Sequence, residues 1–150
     1  MTDPVMAAIT AAQQTALSGD RDRARTLFAE LWAQVGDDGD PLHRVTLAHL
    51  MADVQDDPEQ ELDWDRRALA AADALTDDRA AAFSPSLTVR GMRASLHGSL
   101  AADHEKLGQL AEARAQLALA VAALPDLPDG GYGDLVRGVV QELRERIERP

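Results

Sequence analysis

The sequence predicts an all-α fold, three helical hairpins followed by a capping helix, in one domain spanning residues 1–150. Three observations carry that expectation. Aspartates stand ahead of apolar runs and glycines where such runs end. One spacing of small and large residues is written three times. And the composition suits helices that cross closely, because alanine dominates an apolar content of 45%, aromatics are only 3%, and β-branched runs are missing. In the last copy of the spacing, Leu100, Ala101, His104, Gly108, Ala113, Leu117, Ala120 and Pro125 fall at steps of 1, 3, 4, 5, 4, 3 and 5. The first copy is Ala11, Ala12, Thr15, Gly19, Ala24, Phe28, Leu31. The middle copy is less regular: Leu47, Ala48, Met51, Gln55, then Trp64.

Taken in order, Asp3-Pro4 opens a first helix that runs to about Leu17, with proline at the tolerated first position. Gly19 ends it, since a left-handed residue is cheap for glycine, and Asp20 caps the next. That second helix carries Ala24, Leu27, Phe28, Leu31 and Val35 on one stripe. Gly36-Asp37-Asp38-Gly39 reads as a loop. Asp40-Pro41 opens the third helix, apolar at Leu42, Val45, Leu47, Ala48 and Met51. Asp57-Pro58 opens the fourth, which passes Trp64 and Leu69 to about Leu75. The register then breaks: Gly19 to Gln55 is 36 residues, whereas Gln55 to Gly108 is 53. Residues 76–93 hold the excess, with Ser84-Pro85 as a helix start. The expected fifth helix is long, from about Pro85 to Leu107 with a bend at Gly91. A sixth follows from about Leu110 to Ala123, then the loop Pro125-Asp126-Leu127-Pro128-Asp129-Gly130-Gly131. The last helix, Gly133 to Arg149, carries Leu135, Val136, Val139, Val140, Leu143 and Ile147, with Glu142–Arg146 and Glu145–Arg149 as i,i+4 pairs.

The order of small and large positions resembles the ~34-residue tetratricopeptide repeat (TPR), a helix–turn–helix unit that stacks into a superhelix. Small residues stand where its two helices cross, here Ala12 with Ala24 and Ala101 with Ala113. Large ones, here Phe28 and Leu117, fill the space between hairpins. A narrower likeness covers about residues 40–135. It rests on His49-Leu50-Met51-Ala52-Asp53-Val54-Gln55, Glu61-Leu62-Asp63-Trp64-Asp65 and Ser95-Leu96-His97. Ala101-Ala102-Asp103-His104-Glu105-Lys106-Leu107-Gly108 and Asp129-Gly130-Gly131-Tyr132-Gly133 complete it. These stretches resemble a group of short bacterial TPR-like proteins of no assigned activity. Such proteins carry Asn two residues after the counterpart of His97, where this chain has Ser99. The resemblance implies a fold and no reaction. The branch of the repeat family that clamps a C-terminal carboxylate uses Lys, Asn and Arg on first helices. The corresponding positions here are Ile9 and Gln13, Val45 and His49, and Gly98 and Ala102, so a reader of chaperone tails is not expected.

The net charge is −11, which argues against nucleic acid because phosphate binding needs cationic faces. Residues 1–80 hold 17 acids against 7 Lys or Arg, and residues 81–150 hold 9 against 8. The densest run is Asp53, Asp56, Asp57, Glu59, Glu61, Asp63 and Asp65. It reads as a solvated helix start, where acids suit the dipole, or as a face that steers a basic partner. There is no cysteine, hence no disulfide and no thiolate-held zinc. No apolar stretch approaches the ~20 residues that span a membrane, and Met1-Thr2-Asp3-Pro4 lacks the basic start of a signal peptide. A cytoplasmic location is expected. Lys106 is the only lysine among many arginines, as in GC-rich bacterial genomes.

The composition and repeat point to a non-catalytic protein- or peptide-binding module that needs no cofactor. Its concave groove is expected to present His49, Asp53, Trp64, His97 and His104. His49 and Asp53 share a face of the third helix, and His97 and His104 a face of the fifth. Convergence of these four is the basis of the alternative, a metal- or small-molecule-binding sensor. The competing reading is packed, hydrogen-bonded histidines. Trp64 takes an aromatic core position in the regular repeat. A one-residue slip before Ala68-Leu69 instead exposes it on the groove. Trp32, beside Gly36, is expected to be partly exposed, and tryptophans anchor interfaces. A structural homodimer, joined through the last helix or Trp32, is the third possibility. An enzyme is not expected: there is no His-Glu-x-x-His run, no phosphate loop and no Gly-x-Ser-x-Gly context.

Overall fold

A computed structural model describes residues 3–149, so the Met1-Thr2 start lies outside the described residues. Among these the chain is all-helical, with eight α-helices, one short 3₁₀ turn and no strand. It divides into two compact units, Met1–Ala74 and Leu75–Pro150.

In the first unit, α1 (Pro4–Leu17) pairs with α2 (Arg21–Val35), and α3 (Pro41–Asp53) with α4 (Pro58–Ala72). Every start is an aspartate whose carboxylate accepts from a first-turn amide: Asp3 from Met6, Asp20 from Arg23, Asp40 from Leu42 and Asp57 from Glu59. Asp3 does double duty. Its carboxylate also meets His43 Nε2 at 2.9 Å, tying the start of α1 to α3. The α1–α2 junction turns on Gly19, at φ 105°, and closes with the Asp20 amide on the Thr15 carbonyl. Ala12 and Ala24 are both buried, as the crossing requires.

The α3–α4 junction has Gln55 where the other two hairpins have glycine, and no described residue other than glycine adopts positive φ. Two arginines of α2 take over the closure. Arg21 donates to the carbonyls of Asp53 and Gln55, and Arg25 donates through Nε and Nη2 to the carbonyl of Val54 at 3.1 and 2.7 Å. Both also reach the Asp56 carboxylate. Cationic donors thus satisfy the last carbonyls of α3, where the helix dipole is negative.

The second unit begins differently from expectation. Residues 77–83 form a separate short helix, α5 (Asp77–Phe83), capped by the Thr76 hydroxyl. Pro85 opens no helix. It lies in a turn closed by the Leu87 amide on the Ser84 carbonyl, and α6 (Val89–Lys106) starts at Thr88, whose hydroxyl accepts from the Gly91 amide. Ser84 serves instead as the C-cap of α5, its amide donating to the Ala80 carbonyl. Asp77 then accepts from the Val89 amide at 2.8 Å and holds the two helix starts together. The fourth helix likewise ends at Ala72, short of Leu75, and the last begins at Gly131, two residues early.

Helix α7 (Leu110–Ala123) folds back on α6 through Gly108, at φ 74°, with the Gln109 amide on the His104 carbonyl. This repeats the geometry of Gly19. The turn Leu124–Asp126 leads into α8 (Gly131–Ile147). Ala94 and Ala101 of α6, Ala113, Leu117 and Ala120 of α7, and Val136, Val140, Leu143 and Ile147 of α8 form one core cluster. Only part of the stripe expected on α8 is inside it. Val136, Val140, Leu143 and Ile147 keep a single helical face at steps of 4, 3 and 4, while Leu135 (68% exposed) and Val139 (46%) lie off that face. At Gly98 a methyl would stand 3.6 Å from Val140, an ordinary contact, so α8 lies beside α6 there with room for a small side chain. Arg146, expected to pair along its own helix with Glu142, reaches across to Glu105 of α6 at 2.7 Å, which raises its pKa.

Two substitutions test this packing. Ala113→Leu overfills the α6–α7 crossing and is expected to lower stability by about 1–3 kcal/mol in a denaturant melt. Arg25→Ala strips the donors from the Val54 carbonyl and is expected to lower it by about 1 kcal/mol, with Arg25→Lys recovering only part because the planar fork is lost. An Arg25→Ala protein as stable as the parent would remove the proposed closure of α3.

Candidate functional site

The first unit carries the most distinctive side-chain arrangement, and it starts from the register of α4. The residues of α4 that are buried are Leu62, Asp65, Ala68, Ala71 and Ala72. Counted from the junction, Trp64 stands where Phe28 and Leu117 stand in the other hairpins, both of them deep in the core. It does not take that place. One extra residue at the junction, Pro58 following Gln55 by three where Leu110 follows Gly108 by two, rotates α4 by about 100°. Asp65 goes inward and Trp64 is left half-buried at the surface. Trp64 therefore does not take the core position that the regular repeat assigns to it.

The buried Asp65, 3% exposed, faces the His49 ring, with Nδ1 3.4 Å from Oδ1. His49 is thereby engaged on the carboxylate beneath it. Trp64 meets Trp32 of α2 edge to face, with ring centroids 5.2 Å apart and planes at 84°. Each indole also carries a guanidinium. Arg44 of α3 sits 5.1 Å from the Trp32 ring centre and Arg67 of α4 sits 4.2 Å from that of Trp64. Arg67 is further held by Asp63 at 2.8 Å. Beside them opens a cleft of about 340 Å³ lined by Trp32, Asp37, Arg44, Arg67, Ala70 and Ala71.

The remaining expected residues are placed as follows. Asp53 is exposed at the end of α3, where its carbonyl takes Arg21. His97 lies in the second unit with Nδ1 2.7 Å from the Gln116 side-chain oxygen, linking α6 to α7. His104 is 5% exposed, and its Nδ1 is 2.7 Å from the Gln109 oxygen at the hairpin turn. Each histidine therefore has a side-chain partner within its own unit. Among the described residues no group of three or more His, Cys, Asp or Glu side chains is arranged to hold a metal ion. Much of the acidic run is engaged within the first unit: Asp56 on Arg21 and Arg25, Asp57 on the Glu59 amide, Asp63 on Arg67.

Arg44 and Arg67 were not among the residues the sequence singled out. Trp64–Arg67 and Asp63–Arg67, at i,i+3 and i,i+4, are a local signal that points to Arg67. Arg44 has none, because its partner Trp32 is on another helix. In the second unit, burial pushes the Tyr132 phenol up, partly offset by a hydrogen bond with Ser95. Among the described residues no helix is long and apolar enough to cross a membrane.

The tryptophan pair is checked by a double-mutant cycle. Trp32→Ala and Trp64→Ala are expected to couple by about 0.5–1.5 kcal/mol in denaturant melts; additive effects would mean that the rings touch without mutual stabilisation. Asp65→Ala is expected to cost about 1–3 kcal/mol, because it empties a core position and leaves polar partners unsatisfied.

No protein-family model matches this chain, and neither does any of the curated proteins or solved structures compared with it.

Proposed function

We propose that the chain is a cytoplasmic, non-catalytic, TPR-like array of helical hairpins that binds a protein or peptide. Support for the repeat comes from the matched turns at Gly19 and Gly108 and from the buried alanines Ala12, Ala24, Ala101 and Ala113. The observation that carries the binding reading is the Trp32–Trp64 pair with Arg44 and Arg67 laid on its rings. Tryptophan and arginine are the residues that most often dominate interface energetics, and stacking holds these four in place before any partner arrives. The net charge of −11 favours a basic partner at long range.

A second reading, self-association, has its own observation. Leu135 and Val139 are exposed one turn apart on α8, a large apolar pair with nothing over it among the described residues. Val140, 1% exposed, is core, so it is Val139 and not Val140 that can test a surface.

The test is affinity purification from the native host with crosslinking and mass spectrometry. One specific partner is expected, with capture falling at least roughly tenfold in the Trp32→Ala, Trp64→Ala protein while its circular dichroism is unchanged. Capture that survives this change moves the site off the tryptophan face, and capture indifferent to salt removes steering by the acids. For self-association, light scattering on a sizing column is expected to give a dimer that Leu135→Glu with Val139→Glu converts to monomer; a monomeric parent ends that reading.

A further inference from the structure

A groove of about 390 Å³ runs between α1 and α2, and its lining comes from those two helices alone. Its floor is apolar, with Ala11 and Ala12 from α1 and Leu27 and Leu31 from α2, and Arg23 and Glu30 stand exposed along it. The spacing shared by the hairpins identifies this face. Ala11, Ala12 and Thr15 of the first hairpin correspond to Leu47, Ala48 and Met51 of the second and to Leu100, Ala101 and His104 of the last. Leu47, Met51, Leu100 and His104 are all buried. In the first hairpin Ala11 is exposed and Thr15 half-buried. A face that the later hairpins bury is thus left open in the first, and a stacked array needs such an end covered or polar.

Two charges on α2 select the cover. Arg23, Leu27 and Glu30 follow one another at steps of 4 and 3, on one stripe of the helix. Neither the Arg23 nor the Glu30 side chain makes an ion pair or hydrogen bond among the described residues. Seven residues separate them, roughly 10 Å along the axis, so they do not reach each other. A stripe with opposite charges at its two ends is complementary to itself turned end for end. With α2 laid antiparallel to α2 of a second copy, and the two-fold axis between Thr26 and Leu27, Arg23 meets the partner's Glu30 and Glu30 meets the partner's Arg23. Leu27 of each copy then stands beside the axis, between the two ion pairs. Such reciprocity, residue i on j and j on i, is what an isologous contact requires. A different protein would have to match both charges at this spacing, whereas a second copy does so by symmetry.

We propose that the chain forms a two-fold dimer through this groove, with Arg23 and Glu30 paired between copies on either side of Leu27. The net charge of −11 on each copy opposes approach, but charges beyond a screening length of about 8 Å act weakly, whereas the two ion pairs act in contact. Self-association is common to this dimer and to the reading built on α8, but the surfaces differ: neither Leu135 nor Val139 takes part here. The tryptophan face stays free, because Trp32 is nine residues from Arg23 and so stands on the opposite side of α2.

Sedimentation velocity and native mass spectrometry on the whole chain test the dimer. The parent is expected to dimerise with about micromolar affinity. Arg23→Glu sets two carboxylates against each other across the axis, and Glu30→Arg sets two guanidiniums. Each change is expected to weaken the dimer at least roughly tenfold. Both positions are exposed, so the circular dichroism is expected to stay that of the parent. Mixing the two variants restores both ion pairs, and a one-to-one heterodimer is expected, distinguished from either homodimer by its mass. An unfolded variant could not be rescued in this way. Survival of the dimer in the Leu135→Glu, Val139→Glu protein, with loss in either groove variant, supports the groove; the reverse pattern assigns self-association to α8 and overturns the groove. A mixture that recovers no heterodimer, or a dimer indifferent to both groove changes, would overturn the reciprocal pairing. A parent that stays monomeric at about millimolar concentration would overturn the dimer and leave the groove to another protein.

Discussion

A helix of 3.6 residues per turn can show only certain side chains to the helix it packs on, and in α4 that limit shapes the whole first unit. Leu62, Asp65, Ala68 and Ala72 fall on the face toward α3 and are buried. Trp64 lies about 100° from Asp65 around the helix and cannot join them. One residue more at the α3–α4 junction is enough to make this difference. It puts a carboxylate in the interior, which calls for a polar partner, and His49 provides it at 3.4 Å. It also puts an indole at the surface, where Trp32 and Arg67 cover part of it. The cleft, its aromatic wall and the engagement of His49 are three results of one register.

The same junction explains the two arginines of α2. A helix end leaves carbonyls without partners, and a glycine turn is the usual local remedy. Gly19 and Gly108 supply it in the first and last hairpins. The middle hairpin lacks that glycine, and Arg21 and Arg25 bring the missing donors from the preceding hairpin. A local defect is thus met by a long-range contact. That contact draws α2 against the end of α3, and Trp32, further along α2, meets Trp64 on α4.

In the second unit the work is done by small residues. Ala94 and Ala101 lie with Ala113, Ala120 and Ala123 in the cluster that α8 closes through Val136, Val140, Leu143 and Ile147. Gly133 stands at the start of α8, where a side chain would collide with the Pro128 carbonyl. Histidines at the hairpin turn and midway along α6 are bonded to glutamines of the same hairpin, which places them in packing and turn closure.

The amino-acid sequence by itself determined the helical class, the aspartate starts of the first four helices, the glycine turns at Gly19 and Gly108, and the buried repeat positions Ala101, Ala113, Leu117 and Ala120 of α6 and α7. All of these depend on interactions within a few residues or on a helical period, and both are written locally. It misjudged Pro85 as a helix start because Thr88 and Asp77 compete for that role, and Asp77 acts from twelve residues away. It placed His49 and Trp64 among the candidate residues without deciding between core and surface. Only the tertiary structure decided that, because the rotation of α4 follows from how it settles on α3. Arg44 was illegible for the same reason: its chemistry depends on an indole from another helix, which leaves no trace in residue spacing.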